Sequence, residues 1–424
     1  MIATQRRGLP LPAAWKTTVV IAAMFGTLLS ACGTDVVSTQ VPTPFATTDP
    51  TELQLRSYDA FWEGIQSDYI FSAVTTFDWN LLPAQERRKV AAGLSEDEFD
   101  LLMRSIIVEF PENTVTYRNR TDRIEDDLNS TLSYEGIGAY VSVSSEPSPH
   151  VIILAVVPDS PAEQSGLRAH DSIYAVDGQS VSAEEGMDVV KRVRGPAGSV
   201  VKLDVQSPDG SRRSINVTRR RLQATDQLRV ERKDIAHAGL IRLPIGAGAE
   251  LSNIMQQALE ELAEYQPRNL IIDMRVAHSS ATWPLNEMLG FFTEGEMGNQ
   301  YSHSGQQTLE ITGVDLTGSQ SIPLILLIGQ ETRGASEVFA AALQATGRAT
   351  LIGQPTPGQV IGFDHFILPN GGEIFFGSSS YVSPSGEDIG MRGVHPDITV
   401  DTHWDEVTDD EDAVVKRALL QLTQ

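Results

Sequence analysis

The chain of 424 residues has a single cysteine, Cys32, and six lysines, none of them between residues 234 and 415. One thiol excludes an intramolecular disulfide, and the lysine gap leaves a long stretch of chain without an amine base. Positive charge is short throughout: 32 Lys and Arg stand against 56 Asp and Glu, for a net charge of −24. That balance disfavours nucleic acid and anionic lipid surfaces as partners. Long apolar runs are also missing, since the N-terminal run from Val19 to Leu29 is too short to span a bilayer comfortably.

That run follows Arg6, Arg7 and Lys16, which is the pattern of a secretory signal. Leu29-Ser30-Ala31-Cys32 resembles the bacterial lipoprotein box, in which the cysteine is lipidated and becomes the mature N-terminus. The expectation is removal of residues 1–31 and a lipid anchor on Cys32, which holds the protein on the extracytoplasmic side of a membrane in the bacterial cell envelope. Residues 1–31 carry three cations and no acid, so the mature charge becomes −27. Residues 32–50 are rich in Thr, Pro, Ser and Val without an apolar period, as expected of a flexible linker. Acidic clusters at Glu96–Asp100, Asp122–Asp127 and Asp405–Asp412 read as solvated surface.

Residues 51–130 read as an N-terminal helical region. Phe61, Ile65 and Tyr69 recur at helical spacing, and Ser95 with Glu98 forms a capping box ahead of Phe99, Leu102 and Ile106. Residues 133–222 hold a second module. Gly136-Ile137-Gly138-Ala139, Val156-Val157-Pro158-Asp159-Ser160-Pro161-Ala162 and Asp171-Ser172-Ile173-Tyr174-Ala175-Val176-Asp177-Gly178 together resemble a PDZ domain. The resemblance implies a nest of backbone amides at residues 136–139 for a peptide carboxylate, with the peptide adding a strand to the sheet edge. Met187 and Val190, on a helix starting near Ala183, either line that groove or pack in the module's core.

From 236 to 404 strands and helices alternate, and a C-terminal helix lies within 405–424; the whole reads as an α/β (α+β multidomain) chain. Pro323–Ile328 is a short buried strand, and Thr332-Arg333-Gly334-Ala335-Ser336-Glu337 opens a helix carrying Val338, Phe339, Ala342 and Leu343. A strand, a tight turn and a helix start is where hydrolases place an activated serine. With Tyr381-Val382-Ser383-Pro384-Ser385-Gly386 and Gly393-Val394-His395-Pro396-Asp397, the segment resembles the carboxyl-terminal processing (tail-specific) serine proteases. Their Thr-Ala-Ser-Ala-x-Glu motif carries the nucleophile three residues before the glutamate, and a Phe-Gly-Lys-Gly loop presents the base.

Against that pattern the chain has Gly334 at the serine position and Gln359, in Pro357-Gly358-Gln359-Val360, at the lysine position. A Ser-Lys dyad needs a hydroxyl beside an amine whose pKa burial has lowered, and neither group is present. Ser336 is the substitute nucleophile to weigh, but two residues along a helix is a rotation of about 200° onto the opposite face. His278, His303 and His365 lie in the core segment, yet relatives that use a histidine take it from an Asp-x-His element where this chain has Glu112-Asn113-Thr114-Val115. Asp273 and Arg275 read as an ion pair ordering a strand end. Beyond them Val276-Ala277-His278-Ser279-Ser280 replaces the family's glycine-bearing oxyanion loop.

The resemblance thus implies a lipid-anchored pseudoenzyme that binds exported protein or peptide C-termini through its PDZ domain, as adaptor or scaffold, with a partner protease. Two other readings stay open. One is an active serine endopeptidase with a non-standard nucleophile, and the other a small-ligand carrier, since vertebrate retinoid-binding proteins reuse a related core. No metal, cofactor or nucleic acid is implied. If Cys32 carries the anchor, Cys32→Ser will leave unprocessed precursor or release soluble protein on membrane fractionation, and unchanged processing and retention would refute the lipid.

Overall fold

The computed structural model describes residues 49–111, 114–124, 135–222, 226–280, 282–390 and 392–423. Cys32, the linker and part of the Glu112–Val115 comparison lie outside them. Among the described residues no helix is long and apolar enough to cross a membrane.

Helices α1 (Pro50–Asp68), α2 (Leu81–Ala91) and α3 (Glu96–Ile107) open the chain. Pro50 starts α1 where no amide is needed, Asp49 caps it, and the Ser95/Glu98 capping box closes the start of α3. Phe61, Ile65, Phe99, Met103 and Ile106 bury in one cluster with Leu368, Ile374 and Phe376 from far along the chain. Residues 51–130 are not purely helical as expected. Strand β1 (Val115–Arg118) pairs antiparallel with residues 373–376, and four residues alternating in burial leave too short a period to read from sequence.

The PDZ module carries β2 (Glu135–Gly136), β3 (Ala139–Ser144), β4 (His150–Val156), α4 (Pro161–Gln164), β5 (Ser172–Val176), β6 (Gln179–Ser180), α5 (Val189–Val193), β7 (Val200–Gln206), β8 (Arg212–Thr218) and β9 (Arg220–Arg221). Its main sheet runs β3-β4-β5-β7-β8, leaving β3 at an edge. Every residue of β4 is buried because both faces of the sheet are covered. Val151 and Ile153 face the module's own core, whereas Ile152 and Leu154 pack with Ile245, Val276 and Trp404 of the next domain. The helix expected near Ala183 starts later, as a tight turn at Gly186–Asp188 followed by the five-residue α5.

The large domain is a six-stranded sheet in the order β10 (Arg229–Lys233), β11 (Ala238–Arg242), β12 (Asn269–Asp273), β15 (Leu324–Ile328), β16 (Ala349–Gly353), β19 (Ile398–Thr399), parallel except for β10. Covered on both faces, its central strands are continuous apolar runs. Helices α6 (Leu251–Tyr265), α7 (Leu285–Gly290) and α8 (Ala335–Ala345) pack on one face, and α9 (Ala413–Gln421) on the other. A second sheet joins β1 to β13 (Gly295–Ser302), β14 (Gly305–Ile311), β17 (Gly362–Ile367) and the long β18 (Glu373–Val382).

In the acidic segment 405–412, Glu406, Asp409, Asp410 and Glu411 are exposed as expected, but the two ends are not simply solvated surface: Asp405 is half-buried and Asp412 is buried, which corrects the sequence expectation there. Asp412 is 2% exposed and joins Arg275, whose guanidinium also grips Asp273 at 2.7 Å. Asp409 bonds Arg242, and Trp404 lies beneath Arg275 at 5.1 Å. Charge density alone could not show that buried arginines await these carboxylates. Arg275→Ala would strand Asp273 and Asp412 in the interior, so it is expected to cost about 3–5 kcal/mol, read as a lower urea midpoint at unchanged slope.

Candidate functional site

The site forms where β12 and β15 end side by side. After Ile328 the chain turns sharply, and Thr332, fully buried, accepts the amide of Gly329 and donates to the carbonyl of Met274 at 2.8 Å. This ties the turn to the end of β12. The loop after β12 then runs alongside the start of α8: Arg333 donates its amide to Ala277, and Ser279 donates its amide to Arg333.

Gly334 caps α8 with φ 76° and ψ −133°, a conformation essentially reserved for glycine. A Cβ built there would overlap the hydroxyl of Ser279. That hydroxyl accepts the amide of Ala335 at 2.8 Å. The place of a residue-334 side chain and the first free amide of α8 are therefore both taken by one loop serine. The carbonyl of Gln359 lies 3.8 Å from the same point, and the Gln359 side chain accepts from Arg333 at 3.4 Å. Positions 334 and 359, paired by the sequence motif, thus meet in space.

Glu337 brings them together. Fully buried one turn into α8, its carboxylate accepts from the amides of Gly334, Gly358 and Gln359 and from the hydroxyl of Thr356 at 2.5 Å. Burial pushes its pKa above the ordinary carboxyl range even though all four donors pull it down. Every oxygen of Glu337 faces donors, so it has no capacity left to take a proton from a substrate.

The other candidates fall apart from this point. Ser336 is fully buried and donates to the carbonyls of Ala277 and Arg333, as helix geometry requires. His278 is held by Glu331 at 2.7 Å, whose carboxyl sits below its ordinary pKa: burial opposes the shift, and His278, Ser142 and Arg333 together outweigh it. His365 on β17 pairs with Glu373 and stacks on Phe375, and His303 sits in the exposed turn between β13 and β14. Asp273 and Arg275 form the expected strand-end pair, extended to Arg242 and Asp412. The Asp273 carboxyl is held well below its usual range: burial opposes this, and the two guanidiniums prevail.

In the PDZ module the loop 136–139 lies at the head of edge strand β3. Gly138, at φ 85°, has no room for a Cβ because Ser160 packs against it. The carbonyls of Ile137 and Gly138 accept from Ala162 and Val157, and because each trans peptide sets its N–H opposite its C=O, this turns the amides of Gly138 and Ala139 outward. The side chain of Ile137 is buried in the module's core rather than lining a pocket, so only its backbone faces the nest. Val190 is half-buried against the same core, whereas Met187 is 53% exposed.

Residues 237–400 match peptidase family S41, and residues 152–207 match a PDZ domain. The chain is 31% identical over 370 residues to a carboxyl-terminal-processing protease of Picosynechococcus, covering 84% of each protein. The chain belongs to the carboxyl-terminal-processing protease family. A second family member, from Synechocystis, is 26% identical over 410 residues, covering 90% of this chain and 89% of that protein. Among solved structures the photosystem II D1 C-terminal processing protease has the same fold, with a TM-score of 0.62 at 21% identity, covering 86% of this chain and 97% of that one.

At this family site one residue, Ser279, escaped the sequence reading, and the role of a second, Glu337, was only partly legible. Glu337 was visible as the motif glutamate, but its fourfold role needed the fold. Ser279 gave no signal beyond standing where family members carry glycine. If Ser279 and Gly334 exclude each other sterically, Gly334→Ala is expected to cost about 1–3 kcal/mol. Ser279→Gly should recover part of it, giving a coupling of about 0.5 kcal/mol or more in a double-mutant cycle of urea unfolding, whereas strict additivity would separate the two residues.

Proposed function

We propose that this family member binds the C-termini of exported proteins through its PDZ domain and does not hydrolyse them, acting as an adaptor or scaffold tethered by lipid at Cys32. The observation that carries the reading is the Ser279 hydroxyl in the space of a residue-334 side chain, bonded to Ala335. Hydrolysis needs a nucleophile with an adjacent base, and an oxyanion donor on a free amide. Here the position of the nucleophile is occupied, the base position is Gln359, and the Ala335 amide is engaged. The outward amides of Gly138 and Ala139 support carboxylate capture at the edge of β3.

A second reading remains in view because Ser279 does offer a hydroxyl in the cleft: an active endopeptidase with a displaced nucleophile. One experiment separates the two. An unfolded substrate with an apolar C-terminus is incubated with native protein and with Gly334→Ser, Gln359→Lys, the pair, and the pair plus Ser279→Gly. Binding without cleavage is expected from the native chain and both single variants. At most trace turnover is expected from the pair, because a lost oxyanion donor costs about 10²- to 10³-fold and catalytic groups act as a unit. Amidation of the peptide C-terminus should weaken binding by about 1–3 kcal/mol. Native turnover abolished by Ser279→Ala or Ser336→Ala would overturn the non-hydrolytic reading, and equal affinity for acid and amide peptides would overturn carboxylate capture.

A further inference from the structure

The PDZ module and the large domain are joined by the strap that follows β19, and two buried histidines sit at that joint. His150, at the start of β4, has 1% of its side chain exposed, and His170, just before β5, has 3%. Neither belongs to the groove nor to the site around Gly334.

Their partners are unusual in being acceptors on both sides of each ring. His150 places Nδ1 2.7 Å from the carbonyl of Ser148 and Nε2 3.0 Å from the carboxylate of Asp405. His170 places Nδ1 2.7 Å from the carbonyl of Trp404 and Nε2 3.4 Å from Asp409. A carbonyl can only accept, and so can an ionised carboxylate. A neutral imidazole has one N–H and would turn a lone pair toward one of these oxygens. For His150 the arrangement is satisfied only by the doubly protonated ring.

We propose that His150 is a pH-sensitive latch that clamps the PDZ module to the large domain while its ring is imidazolium and loosens as the ring loses its proton, with His170 beside it as a second polar contact across the joint.

The surrounding groups agree with this. Around His150 lie Asp405, which also accepts from Ser172, and Tyr174, stacked at 5.1 Å with Arg212 beyond it at 5.9 Å from the Tyr174 ring. Around His170 lie Asp409, shared with Arg242, and Trp404, stacked at 4.3 Å and itself beneath Arg242 and Arg275. Asp171 is already bound to Arg213, while Arg168, Arg229 and Asp410 line the same cleft. For His150, burial works against the charged ring, yet the bonds to Asp405 and Ser148 prevail and its pKa is raised. The carboxyl of Asp405 is lowered: burial opposes this, and His150 and Ser172 prevail. Asp409 is lowered chiefly by its bond to His170.

The sign follows from linkage. A raised imidazole contributes fully below its ordinary value of about 6.5 and loses its contribution as pH rises through the higher, docked value. The lowered carboxylates contribute above their ordinary value of about 4 and fail only in stronger acid. The latch is therefore closed in mild acid and weakens toward alkaline pH. The apolar contact of Ile152 and Leu154 with Val276 and Ile245 does not titrate, so the module loosens rather than departs. Ser142 of β3 bonds Glu331 at 2.5 Å in the turn before Gly334, which places the loosening next to the degenerate site. The latch stands whether or not the core hydrolyses peptides.

The test uses the full mature chain with Cys32→Ser and dyes on two introduced cysteines, Lys202→Cys on β7 and Glu261→Cys on α6, both exposed positions. Energy transfer is expected to hold steady from about pH 5 to pH 6 and then fall in a step centred above about pH 6.5. In the His150→Gln variant the step should vanish. Independently of any variant, ring-nitrogen NMR of the unlabelled chain should show His150 protonated on both nitrogens at about pH 6. Transfer that stays flat to about pH 9, a step that survives His150→Gln, or a singly protonated His150 at about pH 6 would each overturn the latch.

Discussion

Arg275 is the residue on which the assembly turns. It leaves β12 fully surrounded, held by Asp273 from its own strand end and by Asp412 from the cap of α9, with Trp404 against its guanidinium. Such a charge survives burial only because each of its three nitrogens meets a carboxylate. Through Asp412 it fixes the last helix against the sheet. Through Trp404 and the neighbouring Arg242–Asp409 pair it fixes the strap on which the PDZ module sits. The loop that follows, Val276–Ser280, therefore starts from a rigid point, which is why a single hydroxyl at Ser279 can be aimed at Gly334 with little freedom.

The site of this family member is framed by bonds that do not depend on a side chain at 334. Glu337 gathers positions 334, 356, 358 and 359 around one buried carboxylate, and Thr332 ties the turn to β12. These bonds stabilise the fold whatever the residue at 334 does. The space that a serine side chain would occupy has been filled from the facing loop, and a cleft with its donors internally satisfied is more stable than an empty one.

Much of this was legible beforehand. The apolar run at 324–328, the helical spacing of Phe61 and Ile65, and the Ser95/Glu98 capping box all became the elements they imply, because local period and capping chemistry act within a few residues of chain. The motif pairing of 334 with 359 was legible for a different reason, since the family resemblance supplied a contact that local physics does not. Within the acidic run at 405–412, the burial of Asp412 was not legible, because the same residue type suits solvent or a buried arginine equally. The short β1 and the late start of the PDZ helix were lost because four or five residues carry almost no period.

By itself the sequence determined what this protein has for chemistry: no lysine from 234 to 415, no serine at 334, one thiol, and a surplus of acid. Those are properties of side chains, and no fold can supply an amine that is not encoded. Only the tertiary structure decided what took their place. Ser279 and Gly334 are 55 residues apart in the chain, and His150 and Asp405 are separated by 255. Whether such groups meet depends on how β12 and β15 end side by side and on how the strap crosses the PDZ sheet, and packing across the whole chain sets both.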